Sequence, residues 1–368
     1  MTAKRVLFVA PGYGNGGIRS WAKKMLQTFS NEEYELLHIG VAYRRAMRGD
    51  CGIVRRIVDG LLDLVDSRKA IKAALKQYDD IVLAHITTSG SLGTFSDYVL
   101  GWLCKRNGIK TIMHCHYGCI PKDYAKRGLL GMLLRKTMRM YDQIWVLDSK
   151  SYKTLDADPR LKGKVYITPN SIQVNQGLEI APKRYEKIAF VGNLIPTKGI
   201  YELVEAVKQC SENTTLTIVG PSDKAVINDI KQIAGELIDK RIKLIGSLPN
   251  EQAVEMIKSM DVIALPTYYP SEAFPISILE AMSYGKMVIS TPRAAIKDML
   301  TAVDGTECGY LVRERSIEDI VEAIKWCQQN KEMADERCAK AYEKVNNCYR
   351  TDIVYDLYRS LYRKAIMD

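Results

Sequence analysis

Apolar runs of about four to eight residues recur along the chain. Each is followed by a polar or glycine-rich turn and then a stretch with helical spacing. In the first half the runs at 5–10 (RVLFVA), 34–41, 80–84, 110–113, 143–147 and 165–168 read as strands. Near-continuous apolar runs are what a strand buried on both faces requires. Helical spacing predicts helices over about 18–29, 51–77, 95–107, 126–140 and 150–155. Residues 170–185 break into polar and proline positions, as a linker would. The alternation then restarts, with strands predicted at 187–191, 216–219, 242–245, 261–265, 286–290 and 310–312. Helices are expected at 199–210, 224–237, 250–258, 316–328 and 331–346, and a short one is expected to open at Pro275 and close at Gly285. Such alternation predicts parallel sheets with helices on both faces. The expected fold is α/β: two doubly wound Rossmann-like domains, 1–180 and 186–348, facing an interdomain cleft. The last helix, 351–368, is expected to pack back on the first domain. Its Tyr355, Tyr358 and Tyr362 recur at helical spacing and read as packing residues.

The stretch 266–292 (PTYYPSEAFPISILEAMSYGKMVISTP) has the most structured pattern: strand end, polar loop, short helix, strand. Glu272 precedes the helix, and Glu280 lies eight residues on, inside it. The helix start offers unpaired amides and partial positive charge, which suit a phosphate. A carboxylate on each side of such an anion site could grip hydroxyls at both ends of a nucleotide-sugar diphosphate. In open α/β sheets ligands gather at the carboxyl ends of strands. The other unusual polar residues fall at predicted strand ends too: Gly16 and Gly17, His85 to Ser91, His114 to Tyr117, Asn193 to Lys198, and Gly220 to Asp223. The turn PGYGNGG (11–17) lacks G-x-G-x-x-G spacing, so it is not a dinucleotide fingerprint. His85, His114 and His116 lie near two strand ends, but no further ligand at a known spacing joins them, and no metal site is expected.

Composition narrows the class. The chain has 368 residues, 47% hydrophobic and 26% charged, as in a soluble two-domain protein. No apolar run nears the roughly 20 residues of a bilayer span. Val6–Ala10 is too short for a leader's apolar region and reads as a core strand. Nine cysteines without paired CxxC spacing favour free thiols in a reducing, cytoplasmic setting. The net charge of +10 implies an anionic partner. Residues 122–139 mix Lys122, Lys126, Arg127, Arg135, Lys136 and Arg139 with leucines and methionines. This amphipathic basic stretch suits the anionic inner face of a plasma membrane, which predicts a peripheral location. No basic motif with interleaved aromatics points to nucleic acid.

Taken together, the motifs resemble the retaining GT-B glycosyltransferases with an E-x7-E signature, the family 4-like or group 1 enzymes. EAFPISILEAMSYGKMVIST (272–291) resembles the signature in its usual setting. VGNLIPTKGIYELVEA (191–206) resembles the strand, loop and helix that open the family's second domain. IVGPSD (218–223), the segment 245–267 and CGYLV (308–312) follow in the family's order. YGNGGIRSWA (13–22) resembles its glycine loop, and AHITTSGS (84–91) and HCHYG (114–118) resemble members acting on polysaccharide or lipid-linked acceptors.

The resemblance implies a metal-independent transfer of a sugar from a UDP- or GDP-sugar, with retention, to a glycan or lipid-linked acceptor. No cofactor is implied beyond that donor. Glu272 would bind hydroxyls of the transferred sugar, Glu280 the ribose, and Lys198 the diphosphate leaving group. Phe274, Pro275 and Ile276 would border the diphosphate, Ser247 and Leu248 the base. Gly16 and Gly17 would let the first loop reach the donor phosphates, and His116 would lie beside the sugar. His85 and Ser89 would contact the acceptor. Asn193 stands where many members carry Arg, which removes a second cation from the donor site; Arg19 is a candidate replacement. Two other readings keep the architecture: a non-catalytic nucleotide-sugar-binding subunit, and an epimerase acting on a sugar nucleotide.

Overall fold

The protein is described from a computed structural model covering residues 3–13, 17–42, 44, 52–90, 93–174, 177–178, 180–181 and 183–368. Six parallel strands, β1 (Lys4–Pro11), β2 (Tyr34–Val41), β3 (Ile81–Thr88), β4 (Lys110–Cys115), β5 (Gln143–Val146) and β6 (Val165–Ile167), pair in the order β2-β1-β3-β4-β5-β6. A second parallel sheet holds β7 (Lys187–Val191), β8 (Thr215–Val219), β9 (Ile242–Gly246), β10 (Val262–Leu265), β11 (Met287–Ser290) and β12 (Tyr310–Leu311). Its order is β12-β11-β10-β7-β8-β9. Chain direction across the sheet reverses between β1 and β3 in the first and between β7 and β10 in the second. In doubly wound sheets such reversals open a crevice beyond the strands' carboxyl ends.

The chain divides into two units, Met1–Asn170 with Tyr355–Asp368, and Ser171–Val354. Ser171 onward goes with the second unit, where the Ile172 amide donates to Tyr349 O and the Thr351 amide to Ile172 O. In unit 1 the helices Ile53–Gln77, Gly93–Arg106 and Leu129–Met140 pack side by side on one face of the sheet. Their Leu64, Ile71, Leu103 and Met138 share one core with Val9, Ile86, Met113 and Ile144. No helix among the described residues is long and apolar enough to cross a membrane. The eight described cysteines are free thiols, six of them buried; the ninth, Cys51, lies outside the described residues.

Element boundaries depart from the sequence reading where tertiary contacts extend or interrupt a pattern. β3 runs on to Thr88, so His85 lies within the strand and not at its end. The basic 122–139 stretch is two helices, Ile120–Ala125 and Leu129–Met140, split at Gly128, whose φ of 103° only glycine adopts freely. The short helix Ala295–Met299 was not expected.

Unit 1 also buries a cluster of aromatic and imidazole rings. Tyr362 OH hydrogen-bonds His85 Nδ1 at 2.6 Å, His85 Nε2 bonds His114 Nδ1 at 3.0 Å, and His114 Nε2 bonds Thr168 Oγ1 at 3.3 Å. Trp145 stacks on Tyr362 with ring centroids 5.7 Å apart, and Tyr358 OH donates to Pro169 O. Tyr355 bonds Thr28. These contacts fix Tyr355–Asp368 within unit 1. Burial holds all three imidazoles neutral: His85 and His114 are pushed well below the ordinary histidine range, and His116 down to about 3.

Two outcomes follow from this cluster. Unfolded histidines take up protons below about pH 6.5, whereas the folded ones do not until far lower pH. Stability should be full above about pH 6.5 and fall as pH drops towards the folded value, by up to about 1.4 kcal/mol per pH unit per histidine. Urea midpoints measured from pH 7.5 to 4.5 check this, and a flat profile would contradict it. Tyr362→Phe leaves His85 Nδ1 without its partner and should cost about 1–3 kcal/mol in the same assay.

Candidate functional site

The second sheet's reversal places the loop after β7 beside the loop after β10. Two glycines allow the loop after β7 to meet its neighbours, the loop after β8 at Gly220 and the loop after β10 at Gly199. A Cβ on Gly220 would lie 1.8 Å from Gly192 O, and one on Gly199 would lie 2.2 Å from Pro266 O. Gly199 also has φ of 78°, a left-handed value that glycine adopts without strain. Gly192 N–H to Val219 O at 3.0 Å and Leu194 N–H to Pro221 O at 2.9 Å tie the loop after β7 to the end of β8 and the loop after it, and Tyr268 N–H to Thr197 O at 2.8 Å ties it to the loop after β10. Pro196–Lys198 forms a single 3-10 turn before Gly199.

This close approach sets Lys198 Nζ 3.2 Å from Glu272 Oε2, with the side chains 17% and 10% exposed. Thr267 Oγ1 donates to the same carboxylate oxygen at 3.4 Å and accepts from the Tyr269 amide at 3.1 Å. The Glu272 amide donates to Tyr269 O, closing the loop on itself. A charge pair this sheltered is costly to break from one side, because the remaining charge stays buried.

The helix after Glu272 runs Ile276–Ser283. Pro275 is its N-cap and not its first residue, with an extended backbone and no side-chain capping bond. Its first-turn amides have no intrahelical acceptor and point out of the helix start. Phe274 and Pro275 are buried and Ile276 is half-buried. Phe274 meets Tyr349 edge-on at 5.5 Å. The helix stops in a Schellman pattern: Lys286 N–H bonds Ala281 O, Gly285 N–H bonds Met282 O, and Gly285 has φ of 58°. Glu280 is half-buried on this helix. Asn193 and Ser247 are exposed at the ends of β7 and β9. Leu248 lines an open hollow of about 890 Å³ with Ile245 and the helix Asn250–Ser259, and that hollow touches neither Lys198 nor either glutamate.

In unit 1, Gly17 opens the helix Gly17–Thr28, while Gly16 lies outside the described residues. His116 follows β4, and its amide donates to Thr88 O at 2.9 Å. Its ring lies between His114 and Trp21, with centroids 4.1 and 4.3 Å away, and among the described residues its buried Nε2 has no hydrogen-bond partner. His85 is corrected. It is wholly buried, with both ring nitrogens occupied by Tyr362 and His114, so it presents no atom to an acceptor. Ser89 is exposed in the turn after β3. Sequence reasoning missed Thr267 and the backbone contact at Gly199. The only trace of either is a Thr just after a strand and a Gly just after the lysine. Among the described residues, no group of three or more His, Cys, Asp or Glu is placed to hold a metal ion.

Comparison with known proteins bears on the second unit's sequence and on the fold. Residues 176–344 match the family model for glycosyl transferases group 1. A D-inositol 3-phosphate glycosyltransferase of Corynebacterium efficiens is 33% identical over 139 residues, covering 36% of this chain and 32% of that protein. The chain thus matches about a third of the length of that curated relative. Sucrose-phosphate synthase from Thermosynechococcus elongatus superposes with a TM-score of 0.73 at 16% identity, covering 98% of each chain. Anabaena HepE, solved with UDP and glucose, gives 0.67 at 15% identity, covering 98% of this chain and 100% of its own. The protein has the α/β fold of GT-B glycosyltransferase structures, and most of its second unit matches the group 1 glycosyl transferases.

Proposed function

We propose that the protein is a retaining glycosyltransferase whose second unit binds a nucleoside-diphosphate sugar. The observation that carries this reading is the pairing of Lys198 with Glu272 at 3.2 Å, beside a helix start, at the sheet's reversal. Departure of a nucleoside diphosphate builds negative charge, which fixed positive groups stabilise in a sheltered site. Lys198 supplies one charge, and the orphan amides at Ile276 and Ser277 supply oriented dipoles. In this reading, no step calls for a metal ion.

Glu272 then accepts hydrogen bonds from sugar hydroxyls while its bond to Thr267 holds its orientation. Glu280 takes the ribose hydroxyls, and Ser247 and Leu248 border the base. His116 offers its unpartnered Nε2 to the sugar. Retention follows when the acceptor hydroxyl attacks from the face the phosphate leaves, with a phosphate oxygen taking its proton. The acceptor is a glycan or lipid-linked sugar, and Ser89 is a candidate contact for it. UDP-sugars come first among donors to test, since HepE is solved with UDP and with UDP-glucose.

Thermal-shift screening of UDP- and GDP-sugars should give one donor that raises the melting temperature in proportion to RT ln(1 + [L]/Kd). Lys198→Ala should slow transfer by about 10²–10³-fold with donor affinity changed far less. Glu280→Ala should weaken donor binding by about ten- to a hundredfold, the cost of about 1.5–3 kcal/mol for a hydrogen bond to a charged group, with turnover at saturating donor retained. Release of nucleoside diphosphate only when acceptor is present reads out transfer. Full activity in both variants would sink the assignment, and donor binding with no turnover on any acceptor would favour a non-catalytic subunit.

A further inference from the structure

The helix Ile53–Gln77 turns an unusual face to solvent. Val54, Ile57, Val58, Leu61, Leu62 and Val65 follow a helical stripe and are 44–77% exposed. One helical face can thus hold all six, and soluble surfaces rarely show so continuous an aliphatic stripe without a partner. The same face continues into cations, with Lys69, Lys72 and Lys76 exposed and Arg68 half-buried. The two helices packed next in line repeat the theme. Phe95 and Trp102 are exposed on Gly93–Arg106, and Leu129, Leu130 and Met132 on Leu129–Met140.

Charge decides what this face fits. The three helices carry eleven arginines and lysines against four aspartates. Asp59, Asp63 and Asp97 are buried, and Asp66 pairs with Arg44 at 2.7 Å. Lys105 and Arg139 are paired with Asp142 and Asp158 at 2.8 Å, so the aliphatic and cationic surface centres on Ile53–Gln77, where Arg55, Arg56, Lys69, Lys72 and Lys76 are exposed. A second copy of the same face would add cations to cations. An anionic bilayer accepts both features, as headgroups take the lysines and the acyl boundary takes the aliphatic side chains. We propose that the helix Ile53–Gln77, flanked by the two neighbouring helices, docks the protein on an anionic lipid surface. This differs from the sequence expectation, which placed the membrane contact on 122–139 alone. It is independent of the assignment of the donor site.

The test is flotation of the full chain with phosphatidylcholine vesicles, with and without phosphatidylglycerol, at low and physiological salt. The protein should float with the anionic vesicles and lose binding as salt rises. Leu61→Asp with Val58→Asp should abolish flotation. Replacing Lys69, Lys72 and Lys76 by Gln should weaken it on the order of a hundredfold, at about fivefold per charge. All five positions are exposed, so thermal unfolding and nucleotide-sugar binding should be unchanged. Failure of the wild type to float at low salt would overturn the proposal, as would flotation of the variants at wild-type level. A dimer in light scattering that Leu61→Asp splits, with no vesicle binding, would also overturn it and assign the face to self-association.

Discussion

The second unit depends on one close approach of two backbones. Gly199 lies against the carbonyl of Pro266, where any Cβ would fall 2.2 Å from the oxygen. That contact brings the loop after β7 against the loop after β10, and only then can Lys198 reach Glu272. The hydrogen bond between Tyr268 and Thr197 holds the two loops in register. Two segments far apart in the chain, Lys198 with Gly199 and Pro266 with Glu272, therefore act as one feature. The sheet's order supplies the rest, because β7 and β10 are neighbours only where the winding direction reverses.

Unit 1 is organised by a different constraint, the burial of polar rings. Three imidazoles lie in a core of tryptophan and tyrosine, a costly arrangement unless each ring is neutral and bonded. Tyr362 and Thr168 end the chain of bonds through His85 and His114. His116 stands outside that chain, its Nε2 without a partner among the described residues. The contrast separates two kinds of histidine. His85 and His114 are bonded parts of the core, while His116 packs against them through its ring.

Much of this was legible beforehand. Continuous apolar runs such as RVLFVA gave the strands, because a strand covered on both faces has no polar side to show. The alternation of period and turn gave two doubly wound sheets. Glu272, Glu280 and Lys198 could be singled out because a carboxylate before a helix start and a lysine in a strand-to-helix turn are local patterns. The place of His85 was not legible. Nothing in DIVLAHITTSG marks where the strand stops, and pairing with β4 carries it three residues past His85. The break at Gly128 was equally hidden, since the amphipathic spacing passes through it.

What the sequence by itself determined is therefore the set of elements, their order and the chemical types at their ends. These follow from short-range rules: periodicity, capping and turn propensity act within a few residues. Tertiary structure alone decided which of those residues meet. The 3.2 Å contact of Lys198 with Glu272, the bond from Tyr362 to His85 and the outward turn of the aliphatic stripe at 54–65 all depend on groups far apart in the chain or on what is left uncovered after packing. Burial is a property of the whole arrangement, so a stripe of valines and leucines reads as core in the sequence and becomes a surface only when the fold leaves it without a neighbour.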